Sequence, residues 1–251
     1  MIRSRVHDRV PRFAIEAAPE LLPQNGPAFT ALTGRTLSGL YPDWSVASGN
    51  VLDVIGSSHL VPAGGPTFNW PTFHRRGVYC TNGARHEVSA LAPGTADWLA
   101  FAEVTCVADL GANHGKVIGY GNDAFAGVNI YHHGAGTEFI YCRFDDATLN
   151  ATIFVSVPDL RGKGPLLASV LVKRATNQGI LRVSRDGVLV GTATADITGH
   201  GSYSVASGKF GTGDLSFSNG GNAVSYAGCE VLAGAAGATV QADLHAALGY
   251  E

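Results

Sequence analysis

From about residue 36 onward the chain is built of short apolar runs, cut at close intervals by glycine, asparagine and aspartate. Few folds accept that rhythm. Helices need longer uninterrupted stretches, whereas antiparallel strands joined by tight turns need this punctuation. The runs are Val51–Ile55, Gly77–Thr81, Trp98–Asp109, Lys116–Tyr120, Val128–His132, Glu138–Phe144, Ala151–Val157, Leu166–Lys173, Gly179–Arg185 and Ser225–Gly234. In the longest, Leu99, Phe101, Glu103 and Thr105 alternate with Ala100, Ala102, Val104 and Cys106. A strand there has two distinct faces. Arg185-Asp186-Gly187-Val188 separates two alternating runs, and Asp-Gly tolerates the positive φ that a type I′ hairpin requires. Val240, Leu244 and Leu248 recur at helical spacing and predict one short helix near the end, with Thr239 as its cap.

At 251 residues, with 33 glycines and only 15% charged side chains, the chain can bury a full core as a single sandwich. The predicted fold is therefore all-β. Residues 1–35 stand apart. Pro11, Pro19, Pro23 and Pro27 interrupt any regular element there. Arg3, Arg5, Arg9 and Arg12 against Asp8 leave +3 in residues 1–12, while the other 13 basic and 19 acidic side chains leave −6. An extended arm over 1–35 that docks on an acidic neighbour is expected, with Arg3, Arg5, Arg9, Arg12, Phe13 and Ile15 as docking residues. The sandwich is expected over 36–251.

The order of three motifs carries a resemblance. GNVLDVIGSSHLVPAGGPTF (49–68), SRDGVLVGTATA (184–195) and YAGCEVLAG…ADLHAALGYE (226–251) resemble the opening stretch, the Asp-Gly hairpin and the final strand with short helix of the concanavalin A-like superfamily. Laminin-G-like and pentraxin-like domains are the nearest in pattern. The resemblance runs from about Trp44 to Glu251. It implies a jelly-roll sandwich of two antiparallel sheets and no particular activity, since this superfold hosts lectins, glycosidases, adhesion modules and particle coat proteins.

Chemistry is sparse. The carboxylate strand of the superfamily's glycosidases is missing, and Asp145-Asp146 would point to opposite faces if extended. There is no G-x-S-x-G elbow and no H-E-x-x-H, and Gly119-Tyr120-Gly121-Asn122-Asp123-Ala124 runs into a strand, which rules out a phosphate-cradling helix. Tyr131-His132-His133 cannot aim both rings at one ion if extended. Calcium is the one cofactor candidate, with Asp53, Asn122, Asp123, Asp145 and Asp146 as oxygen donors by residue type. Trp44, Trp70 and Tyr120 sit beside turn residues and are the candidate platforms for a surface glycan. Cys80, Cys106, Cys142 and Cys229 are widely spaced in apolar runs, where buried free thiols are expected, with disulfide pairing left open.

No apolar stretch follows the basic N-terminus to make a secretion signal, and no run of 18 apolar residues exists to span a membrane. Net charge of −3 argues against direct nucleic-acid binding. The leading expectation is a non-enzymatic virion protein of a tailed bacteriophage. It would decorate the head or belong to the tail or baseplate, and its arm would assemble it with other particle proteins or with copies of itself. The alternative is a lectin-like, glycan-binding adhesion module, with or without calcium.

Overall fold

The computed structural model describes residues 22–44, 49–63, 67–71, 76–80, 85–106, 114–122, 125–133, 138–160, 163–213 and 222–251. Two antiparallel sheets pack face to face. Sheet I runs β13 (Val188–Asp196), β12 (Gln178–Arg185), β11 (Leu166–Lys173), β6 (Trp98–Cys106), β15 (Asn222–Val231), β4 (Arg76–Cys80) and β3 (Thr67–Pro71), with β1 (Gly39–Tyr41) also pairing β15. Sheet II runs β10 (Asn150–Ser156), β9 (Phe139–Asp145), β8 (Gly127–His133), β7 (His114–Gly121), β14 (Lys209–Thr212), β5 (Arg85–Val88) and β2 (Val61–Ala63). The chain is thus a two-sheet β-sandwich, as the strand rhythm predicts. The edge strands β10 and β13 touch each other on one side of it.

The alternation read in the longest run holds. Ala100, Ala102, Val104 and Cys106 of β6 face sheet II and join Val170, Leu181 and Val183 against Val128, Ile130, Ile140, Phe144 and Phe210. The other face of β6 is not solvated. Leu99 and Phe101, with Leu167, Leu171 and Tyr226, lie under a second apolar layer. That layer comprises Leu22 and Phe29 from the N-terminal side, Val240 and Leu244 from α2 (Val240–Ala247), and Leu248 just after it. All nine residues of β6 are consequently buried.

The N-terminal contribution differs from expectation. Residues 26–33 form the helix α1 (Gly26–Thr33), because Pro27 falls in the first turn, where a missing N–H costs nothing. Asn25 caps it by accepting the Ala28 N–H at 2.9 Å, and Gly34 ends it at φ 68°. Phe29 stacks on Phe101 with ring centres 5.8 Å apart, the Tyr226 hydroxyl donates to the Pro23 carbonyl, and Arg35 pairs with Glu230 at 2.7 Å. The packed body therefore begins by residue 22, not at residue 36. Arg3, Arg5, Arg9, Arg12, Phe13 and Ile15 lie outside the described residues.

The Asp-Gly hairpin forms between β12 and β13, with Asp186 at φ 54° and Gly187 at φ 75°. The predicted run 51–55 is not a strand: only Val51 bridges Leu60. Its chain instead wraps Asp53, whose carboxylate accepts the N–H groups of Leu40, Ile55 and Ser58 at 3.0–3.2 Å. In the middle of sheet II, Gly119 and Gly211 face each other on β7 and β14, both with φ near +155°. A Cβ on either would overlap a neighbouring carbonyl oxygen, Val128's or His86's, so only glycine fits.

Candidate functional site

The outer face of sheet I carries helices, and the outer face of sheet II carries side chains. Because strand residues alternate, β8, β9 and β10 aim Val128, Ile130, Ile140, Cys142, Phe144 and Val155 at the core. Their alternates form registered rows on the outside: Asn129–Arg143–Thr152, Tyr131–Tyr141–Phe154 and His133–Phe139–Ser156. The last two rows make an aromatic ledge. Tyr131 and Tyr141 stack at 4.9 Å, His133 and Phe139 at 4.5 Å with planes 4° apart, and Phe139 lies 5.6 Å from Phe154 and 6.0 Å from Tyr141. Phe154 is 63% exposed on the edge strand, and Phe139, Tyr141 and His133 are half-buried. Tyr131 and Asn129 of β8 are themselves buried, so the cluster is exposed chiefly at β9 and β10; large aromatic side chains are normally interior, and their exposure at this edge is informative.

Polar groups border the ledge. Arg143 grips Asp145 at 2.6 Å and sits 5.5 Å from the Phe125 ring centre. Further along the same face, Glu87 holds both Lys209 at 2.7 Å and Arg85 at 2.8 Å beside an open groove of about 500 Å³ lined in part by Val61 and Ala63. Arg143 is therefore neutralised by Asp145, whereas Lys209 and Arg85 share the single carboxylate of Glu87 and leave one net positive charge beside the groove.

The residues expected from sequence do not gather here. Trp44 is fully buried, with its Nε1–H donated to the Tyr41 carbonyl, so it is core and not a platform. Tyr120 is only 5% exposed and points inward beside Phe210, where burial raises its hydroxyl pKa. Trp70 lies on β3, and its side chain is outside the described residues. The calcium candidates are scattered and already engaged. Asp53 serves its loop as above. Asn122 caps Ala126 and donates to the Ala206 carbonyl; Asp145 holds Arg143 and the Ala147 N–H. Asp146 accepts from Thr148, Leu149 and Gly201. Its slight desolvation is outweighed by those three bonds, which hold the carboxyl below its usual range. Asp123 is outside the described residues, among which no metal-holding cluster of His, Cys, Asp and Glu occurs. A carboxylate filled with N–H donors presents no free oxygens to a hard cation. Cys106, Cys142 and Cys229 are buried, the last two as free thiols.

The ledge sits within strands, whereas the sequence expectation places platforms beside turns, at Trp44, Trp70 and Tyr120. The signal lay inside a strand, in the alternation Phe139-x-Tyr141-x-Arg143 facing Phe154.

A second constellation has the composition of a hydrolase triad. His245 of α2 lies 2.7 Å from Ser169 Oγ through Nε2 and 2.8 Å from Ser184 Oγ through Nδ1, with Glu251 Oε1 3.4 Å from Nδ1. Ser169, Ser184 and His245 have no exposed surface, and the histidine belongs to the helix that covers them. Lifting the helix to admit a substrate would carry the base away. The arrangement therefore works as a clasp between α2 and sheet I.

No protein-family model matches the chain, and no curated protein matches it. Solved structures do share its shape. A GH54 α-L-arabinofuranosidase soaked with a cyclic sulfate inhibitor superposes with a TM-score of 0.55 at 11% identity, covering 88% of this chain and 64% of its own. The leech intramolecular trans-sialidase with 2,7-anhydro-Neu5Ac gives 0.51 at 15% identity over 70% and 27%, and the binding domain of botulinum neurotoxin DC in complex with rat synaptotagmin II gives 0.50 at 10% over 78% and 47%. The chain thus spans from about a quarter to two thirds of these structures. At such identities the likeness is one of fold: a two-sheet β-sandwich compatible with the concanavalin A-like expectation.

Proposed function

We propose that this protein is a non-catalytic carbohydrate-binding module that seats a saccharide on the aromatic ledge of sheet II. The observation that carries the reading is the exposed Phe154 ring, backed by Phe139, Tyr141 and His133 on an outer face that carries no helix among the described residues. A pyranose presents one face of C–H bonds that packs on a flat ring, while its hydroxyls reach polar groups at the rim. Thr152 and the Arg143–Asp145 pair supply that rim. With Arg143 neutralised by Asp145, the rim of the ledge itself suits an uncharged sugar. The arabinofuranosidase soaked with 4-nitrophenyl α-L-arabinofuranoside, also of this fold at a TM-score of 0.54, is in keeping with the reading. The virion reading rests on sequence features alone: the basic, proline-rich arm, the missing secretion signal, the low charge and the sparse chemistry.

A defined glycan array, followed by calorimetry on the best saccharide, tests the proposal. Phe154→Ala and Tyr141→Ala should each weaken binding at least tenfold while leaving thermal unfolding nearly unchanged for Phe154→Ala. An array without a hit at millimolar saccharide, or a hit indifferent to both substitutions, would refute it.

A further inference from the structure

We infer that the C-terminal helix is an acid-released clasp, in which protonation of His245 frees α2 from the outer face of sheet I. The geometry sets the direction of every proton in the chain of contacts. Ser184 has one hydroxyl proton and gives it to the Glu251 carboxylate, which only accepts, so His245 Nδ1–H is the donor to Ser184. That leaves Nε2 of the neutral ring as the acceptor of the Ser169 hydroxyl, whose oxygen also accepts from Gln241 Nε2 at 3.0 Å. Arg182 closes the far end by gripping Glu251 through both Nε and Nη2. The chain runs one way only. A proton added at Nε2 meets a hydroxyl that is already a donor.

The charged and titratable groups around the ring are few. Arg182 from β12 and Glu251 from the following segment flank it. Glu103 of β6 binds the Tyr250 hydroxyl and Ser225 Oγ one step away, and Asp243 lies exposed on α2 itself. Burial dominates and lowers the imidazole pKa to about 3; Glu251 opposes the shift and Arg182 adds to it. Once released, the ring titrates near its ordinary value of about 6.5.

The sign follows from those two values. Above about pH 6.5 the ring is neutral in both states and the clasp is at full strength. As pH falls from there toward 3, the open state binds a proton that the closed state refuses. The open population then rises about tenfold per pH unit. Desolvation raises the Glu251 carboxyl, but Arg182 and Ser184 together outweigh it and hold the group below its usual range, so it acts in the same direction at the acid end. Opening bares the outer face of β11, where Leu167 and Leu171 flank Ser169.

Hydrogen exchange of the full chain at pH 7, 6, 5 and 4.5, corrected for intrinsic rates, reads the release directly. Protection over 240–248 should drop about tenfold between pH 6 and 5 while β6 holds, and His245→Gln should flatten that step. A wild-type helix indifferent to pH, an equal step in His245→Gln, or a parallel loss in β6 would overturn the inference. Nitrogen NMR of the ring gives a reading that needs no variant. It should show Nε2 unprotonated and no titration between pH 7 and 5 in the folded protein; a ring titrating near 6.5 would equally overturn it.

Discussion

Replacing Phe29 by alanine tests where the folded body begins. Phe29 has no exposed surface, stacks on Phe101, and belongs to a segment that composition assigns to an arm. Two routes give the cost. Phenylalanine buries at least about 150 Å², which at about 25 cal/mol per Å² is near 4 kcal/mol. Phe→Ala in formed cores costs about 3–5 kcal/mol. For a chain of this size each kcal/mol lowers Tm by about 2–4 °C, so a fall of roughly 6–20 °C is expected, in one cooperative transition. Circular dichroism during heating and a urea titration monitored by tryptophan fluorescence should agree. Phe154→Ala, at a mostly exposed ring, is the control and should stay within about 1 kcal/mol. If Phe29→Ala melts within 2 °C of the parent, the layer over sheet I is not integral, and residues 22–35 are an appendage after all.

Other substitutions probe separate features. Gly119→Ala or Gly211→Ala forces a side chain into a φ near +155° against a neighbouring carbonyl, and each should cost about 2–5 kcal/mol in denaturant unfolding. Asp53→Ala removes the acceptor of three backbone N–H groups; about 2–3 kcal/mol should be lost, with no change on adding calcium or chelator to the parent, and a calcium-dependent Tm would contradict the assignment of that carboxylate to its loop. The thiols of Cys142 and Cys229 are fully buried, and burial raises both well above the ordinary thiol range, so neither should react with a thiol reagent at pH 8 until the protein unfolds.

Much of the fold was legible because strand alternation and turn chemistry are local. The Asp186-Gly187 hairpin, the two faces of β6 and the helix from Val240 could each be read from a dozen residues. What could not be read is non-local. Pro27 looks like a breaker until Asn25 and Gly34 are seen as the caps of a helix that starts with it. Phe29 and Leu244 lie far apart in sequence, and only the packed layer shows that they cover the same sheet. Asp53 reads as a metal ligand by type, because nothing in its neighbours announces that Leu40 will donate to it. The ledge fell between these cases. Its alternation was in the sequence, but Tyr131 and Tyr141 become stacked neighbours only through strand register.

The double covering of sheet I also bears on how this sequence can drift. In β6 every position of nine is buried, and in β11 all but the last, so neither strand has a free face on which substitutions can accumulate. In β9 and β10 buried and more exposed positions alternate. A library of single substitutions should therefore show unbroken intolerant blocks over 98–106 and 166–172, and a two-residue comb over 139–156. Variation is channelled onto the face that carries the ledge. Lineages can then change what the ledge presents to its surroundings while β6 and β11 keep the architecture intact.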